Sequence, residues 1–199
     1  ATEDQTLTAN TASIADADGL GAFSYQWQRN GVNIAGATAS TFALGDADVG
    51  TNIRVVVSYT DARGTAESLT GAAVGPVANV NDAPSGAPVV TGTATEDQVL
   101  TANTATIADA DGLGAFSYQW QRNGVNIAGA TASTYLLGDA DVGTNIRVVV
   151  SYTDGNGSAE SLTSAAVGPV ANVNDAPSGA PVSTGTATED QTLSADTSS

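Results

Sequence analysis

The acidic residues of this chain fall in short groups at fixed places: Glu3-Asp4, Asp16-Ala17-Asp18, Asp46-Ala47-Asp48 and Asn81-Asp82. The same groups return as Glu96-Asp97, Asp109-Ala110-Asp111, Asp139-Ala140-Asp141 and Asn174-Asp175, with Glu189-Asp190 opening a third set. Carboxylate pairs such as Asp16 and Asp18 are the residue types of glycosidic acid–base chemistry. Here they sit two apart in a Gly-rich stretch with no nucleophile or aromatic platform beside them, which favours ligand or turn roles. Ser and Thr abound, but there is no His or Lys to activate a hydroxyl and no Cys to act as a thiolate, so no enzymatic activity is expected. Clustered carboxylates and amides with no nitrogen or sulfur donors suit a hard cation. Ca²⁺ fits best, because it accepts about six to eight oxygens in flexible geometry, whereas Mg²⁺ demands stricter octahedral order.

The elements that carry these groups are repeated whole. Thr2-Glu3-Asp4-Gln5 recurs as Thr95-Glu96-Asp97-Gln98 and as Thr188-Glu189-Asp190-Gln191, 93 residues apart each time. Residues 1–93 differ from 94–186 only at positions 6, 13, 42, 43, 62, 63, 65, 71 and 90. A period this long holds a small domain rather than one solenoid turn, and near-identical copies in a row suit spacers and multivalent binders.

Within one copy, Phe23-Ser24-Tyr25-Gln26-Trp27-Gln28 alternates apolar and polar residues, the mark of a half-buried strand. Asn30-Gly31 then predicts a tight hairpin into Val32-Asn33-Ile34. Ile53 to Tyr59 alternates again, Asp61-Ala62-Arg63-Gly64 turns (Asp154-Gly155-Asn156-Gly157 in the second copy), and Glu67 to Val77 returns. Leu7 to Ile14 and Thr41 to Leu44 supply further strands. No window carries a 3.6-residue apolar stripe, so the expectation is an all-β chain of about seven strands per copy. Trp27 and Trp120 are expected in the core, against Ile53, Val55 and Val57 in the first copy. Asn79 to Pro88 reads as a linker, because Pro is excluded from central strands and Asn, Asp and Gly favour turns. The expected organisation is a first unit over 1–80 lacking its first strand, a linker over 81–88, a complete unit over 89–173, and a linker plus the start of a third unit over 174–199. The missing strand and the surplus one are complementary, so strand exchange between chains is one expectation and an arbitrary boundary in the sequence the plainer one.

The order of features resembles the immunoglobulin-like β-sandwich: a Trp in the third strand, an Asn-Gly hairpin, then Asp-Val-Gly before a long sixth strand. The inter-sheet Cys pair of antibody domains is absent. Laid on that topology, Glu3, Asp4, Asp46, Asp48, Asn81 and Asp82 fall at the exit pole of the first unit. Asp109, Asp111 and Asp154 fall at the entry pole of the second, facing them across the junction. Glu96, Asp97, Asp139, Asp141, Asn174 and Asp175 form the matching half-site at the next exit pole. Such a cluster repels itself unless a cation lies within it, so Ca²⁺ at the junction is one reading. The other is that Asp48 and Asp141 cap turns and the remaining acids are solvated.

Charge bounds the partners. Acids outnumber basic residues 21 to five, leaving a net charge of −16, which disfavours nucleic acid and anionic lipid. No stretch approaches the roughly 20 apolar residues of a membrane span, and no signal peptide is evident. The Asn79-Val80-Asn81-Asp82-Ala83-Pro84 linker, the Asp-Ala-Asp loop after it and the Thr-Glu-Asp turn resemble the cadherin-like and immunoglobulin-like repeats of large bacterial adhesins of the type I-secreted (RTX) class. That resemblance implies an extracellular spacer on the bacterial surface, stiffened by calcium between neighbouring repeats of the same chain. It would project a terminal binding region, whose ligand the repeats do not reveal, in adhesion or biofilm formation. The Gly-Gly-x-Gly-x-Asp repeats of the secretion signal do not occur here. Weak multivalent carbohydrate binding and a filament joined by strand exchange are the competing expectations.

Overall fold

The structure is a computed structural model and describes residues 1–197. These residues are all-β, and every strand pairing within the sheets is antiparallel. The first repeat contributes β1 (Thr6–Thr8), β2 (Ser24–Arg29), β3 (Val32–Asn33), β4 (Thr41–Ala43), β5 (Ile53–Thr60) and β6 (Ala66–Thr70). The second contributes β7 (Val89–Thr91), β8 (Val99–Asn103), β9 (Ser117–Arg122), β10 (Val125–Asn126), β11 (Thr134–Leu136), β12 (Ile146–Thr153) and β13 (Ala159–Thr163). Beyond them β14 (Val182–Thr184) pairs with β15 (Ser194–Asp196).

In the second repeat one sheet runs β10-β9-β12-β13 and the other β11-β8-β7. β12 shows why they stack. Ile146, Val148, Val150 and Tyr152 are buried at alternate positions, the pleat that points every second side chain to one face. Leu100 and Ala102 from β8 meet them in a single core with Trp120, Ile107, Leu137 and Val170, giving a β-sandwich-like packing. Trp120 is fully buried, stacks on Tyr135 with centroids 5.7 Å apart, and donates its indole N–H to the Ala132 carbonyl at 2.9 Å. The core therefore takes the large apolar ring without leaving its one donor unpaired. Asn123 and Gly124 hold φ of 46° and 84°, the paired positive values that a two-residue hairpin between twisted strands requires.

The first repeat has the same four-stranded sheet, β3-β2-β5-β6, but its other sheet is only β1-β4. Residues equivalent to β7, whose Val90 packs on the second core, would precede Ala1. Its core cluster is correspondingly smaller. Trp27 lies with Leu44, Ile53 and Val77, stacks on Phe42 at 5.6 Å and packs against Val55. Val57 is buried outside that cluster, towards the end of β5 where Phe23 meets Tyr59 edge-on, so its expected contact with the Trp27 cluster is not made. The return strand is also shorter than the sequence suggests. β6 ends at Thr70, and beyond Gly71 only isolated pairings persist, Val74 with Ile53 and Val77 with Val49, on either side of Pro76, which has no N–H to give a ladder.

Two parallel pairings close each repeat at the end where the chain leaves it: Thr2 with Ala78 and Val49 with Val77, then Thr95 with Ala171 and Val142 with Val170. Just before that end sits a 3-10 turn, Asp46–Asp48 or Asp139–Asp141. Asp141 is buried and binds Arg122 through Nε at 2.7 Å and Nη2 at 2.6 Å, the Tyr135 hydroxyl at 2.9 Å and the Gly138 N–H at 3.0 Å. Asp48 does the same with Arg29 and the Gly45 N–H, but Phe42 stands where Tyr135 is and offers no hydroxyl. Removing the Tyr135 hydroxyl alone isolates that difference. Tyr135→Phe should lower stability by about 1 kcal/mol, read as a smaller midpoint in urea unfolding with an unchanged slope.

Candidate metal centre

The chain ends of the sandwich bring acids together because backbone pairing draws them there. The Glu3 N–H donates to the Ala78 carbonyl at 2.9 Å, which seats Glu3 at the exit of the first repeat with 1% of its surface exposed. From the other side, the loop between β8 and β9 is held by Asp109, whose Oδ1 accepts the Asp111 N–H at 3.0 Å and whose Oδ2 accepts the Tyr152 hydroxyl. Burial, with this bond, holds the Tyr152 proton well above the ordinary phenol range. In the first repeat the matching bond from Tyr59 to Asp16, 2.8 Å, pushes that hydroxyl up to about 12. The loop is thus anchored to the sheet before it meets the linker. Across the junction the Asp82 N–H donates to Asp111 Oδ2 at 2.8 Å.

One carboxylate oxygen from each of Glu3, Asp82 and Asp111 lies within 4.8 Å of the other two. Glu3 Oε2 accepts the Val80 N–H at 3.3 Å, but Glu3 Oε1 is buried with no hydrogen-bond partner among the described residues. Burial drives the Glu3 carboxyl above its ordinary range, and Asp46 and Asp111 add to it against the pull of Val80. Asp82 is raised by burial and then by Asp46, Asp111, Asp4 and Asp109. Asp111 moves the other way, because the Asp82 N–H, Asn156 and Asn79 all stabilise its charge. A second trio of Glu96, Asp139 and Asp175 meets the same spacing at the exit of the second repeat. There the Val173 N–H lowers the Glu96 carboxyl, but burial together with Asp139 and Asp175 leaves it raised. The ion pairs among the described residues, Arg29–Asp48, Arg63–Asp18 and Arg122–Asp141, include no member of either trio.

The candidate residues therefore separate. Glu3, Asp82 and Asp111 converge, with Asp4, Asp46 and Asp109 near enough for their charges to bear on them. Asp48 and Asp141 do not join: the arginine beside each draws it into its own repeat, so the turn-capping reading holds for this pair. Asn81 turns outward and donates to Glu160 at 2.9 Å. Asp154 binds its own turn, Oδ1 accepting the Asn156 and Ser158 N–H groups at 2.9 and 2.8 Å, while Oδ2 is buried without a partner. Asp97 takes the positive-φ position of its turn, and Asn174 donates to the Asp175 carbonyl. Sequence reasoning missed Asn79 and Asn156. With its nitrogen towards the carboxylates, the Asn79 amide donates to Glu3 Oε2 at 3.2 Å and Asp111 Oδ1 at 2.9 Å; turned over, its oxygen accepts from Asn156 at 2.8 Å. The signal available for Asn79 was its place two residues ahead of Asn81, within the linker already singled out.

No protein-family model matches the chain, and no curated protein matches it either. The chemistry of this junction is then what bears on function.

Because the folded carboxyls of Glu3 and Asp82 sit above their unfolded values, the folded chain holds protons that unfolding releases. With divalent cations chelated, stability should rise as pH falls from neutral towards 4.5, the ordinary Glu value, and decline as pH climbs back through the raised folded pKa. Melting temperatures across that range in chelator check it, and a flat or opposite trend would count against the raised pair.

Proposed function

We propose that this chain is a non-enzymatic extender, tandem immunoglobulin-like sandwiches held in line by Ca²⁺ at their junctions. The observation that carries the reading is the buried, unpartnered Glu3 Oε1 among carboxylates from both repeats and the linker between them. A group buried in that way is costly unless something positive meets it. Oxygens bound about 2.4 Å from one ion stand at most about 4.8 Å apart, and those of Glu3, Asp82 and Asp111 lie within 4.8 Å of one another. Ca²⁺ between them would relieve the repulsion, and it would favour the Asn79 orientation that turns the amide oxygen inwards. Asp46, whose charge bears on Glu3, would add a further oxygen from the 3-10 turn.

A ligand set drawn from two repeats and their linker would restrict the angle between them, which is what a spacer needs. Near-identical copies, a net charge of −16 and the lack of Cys agree with a secreted chain that folds in a calcium-rich exterior. Its resemblance to bacterial surface adhesin repeats places it, on this reading, between the outer membrane and a terminal adhesive region.

Calcium should raise the melting temperature by several degrees and lengthen the particle in small-angle scattering. The Glu3→Gln/Asp82→Asn double variant should keep its fold in chelator and lose most of both responses. A wild-type chain whose melting and scattering ignore calcium would sink the proposal.

A further inference from the structure

Three of the nine positions at which the repeats differ, 62, 63 and 65, lie in one turn, and that turn packs on the Asp-Ala-Asp loop at the entry end of its repeat. Its backbone is the same in both copies. Asp61 N–H donates to the Thr65 carbonyl and Asp154 N–H to the Ser158 carbonyl, each at 2.9 Å. Asp61 Oδ1 accepts the Arg63 and Thr65 N–H groups as Asp154 Oδ1 accepts those of Asn156 and Ser158. What changes is the side chain offered to the neighbouring acid. In the first repeat Arg63 Nε lies 3.1 Å from Asp18 Oδ1. In the second, Asn156 Nδ2 donates to the equivalent Asp111 Oδ1 at 2.8 Å. Gly155 lets the turn sit close: its N–H reaches the Asp111 carbonyl at 3.0 Å, and a Cβ there would come within 2.5 Å of that oxygen. Ala62 occupies the same place at 3.2 Å.

We propose that this turn selects the counter-charge of the acidic loop beside it: arginine, as at Arg63, neutralises the loop from within the chain, whereas Asn156 leaves that task to a divalent cation. The inference rests on the junction being a calcium site and adds what leaves it open to the cation: an uncharged side chain at 156 in place of a guanidinium. An amide contributes a dipole and no charge, so beside Asn156 the carboxylates of Glu3, Asp82 and Asp111 have no cationic side chain among them, and Glu3 Oε1 stays buried without a partner. A guanidinium on Asp111 would fill the cation's electrostatic role with a charge that cannot dissociate. Its effect would exceed that of the exposed Arg63–Asp18 pair, because Asp111 is 6% exposed and screening is weaker there.

Grafting the first repeat's turn tests this, since that turn already folds against the same loop sequence. The chain carrying Gly155→Ala, Asn156→Arg and Ser158→Thr is compared with wild type by calorimetric titration of calcium and by melting in chelator, with single Asn156→Arg and Asn156→Ala variants alongside. The arginine variants should bind calcium at the junction at least about tenfold more weakly, as expected when site charge falls, and should melt above wild type in chelator. Asn156→Ala should bind calcium within a few-fold of wild type and gain nothing in chelator. The inference is overturned if the arginine variants bind calcium as tightly as wild type, if neither melts higher in chelator, or if Asn156→Ala loses calcium as fully as they do. Should wild type itself bind no calcium, the extender reading fails, and the chelator comparison still decides between a guanidinium that relieves the junction and one that does not.

Discussion

A carboxylate withdrawn from water must find a proton, a cation or several N–H donors, and at the seam between these repeats the donors leave Glu3 Oε1 without a partner. Pairing of Glu3 with Ala78 pulls one acid inward, the linker delivers Asp82, and a loop tied to β12 through Tyr152 presents Asp111. None of these placements is chosen by the acids themselves. The sandwich edge has to be closed and the loop has to be anchored, and the backbone bonds that do so carry the carboxylates along. Their convergence is a cost which the rest of the fold sustains.

Elsewhere the same residue type is satisfied locally, and the contrast shows how. Asp48 and Asp141 are as deeply buried as Glu3, yet each has an arginine fork and a turn N–H, and Asp141 has a tyrosine hydroxyl too. Asp61 and the Oδ1 of Asp154 are surrounded by the N–H groups of their own turns. The backbone donors around Asp61 hold its carboxyl below the ordinary range, whereas Glu3 and Asp82 are held above it. Burial alone therefore does not set Glu3 apart; its unpartnered oxygen and the two carboxylates that converge on it do.

The two repeats behave as one design under two settings. With so few substitutions between them, differences in local chemistry can be assigned to single residues. Phe42 against Tyr135 alters the support of a buried ion pair, and Arg63 against Asn156 alters the charge beside the entry loop. Phe42 and Tyr135 both stack on the core Trp of their repeat, so that change keeps the aromatic packing, and the four-stranded sheets keep the same strand order while the ends diverge in what they can hold.

Much of this was legible in the residues. Alternation from Ile146 to Tyr152 specifies a strand with one buried face, Asn123-Gly124 specifies the hairpin, and the acids at 3, 82 and 111 are visible as candidates, because these depend on neighbours a few positions away. Local pattern does not say which of several similar acids share a site. Asp46 and Asp48 sit two apart in one turn, yet one turns towards Glu3 and the other towards Arg29 from β2, a choice made by strand register across the sheets. Asn79 and Asn156 entered the junction only once the linker was laid against the second repeat, since amides carry no charge to advertise them. The sequence by itself determined the strands, their turns and the supply of carboxylates. Only the tertiary structure decided which carboxylates meet and which oxygen is left without a partner, because that depends on contacts between residues up to 108 positions apart, Glu3 to Asp111.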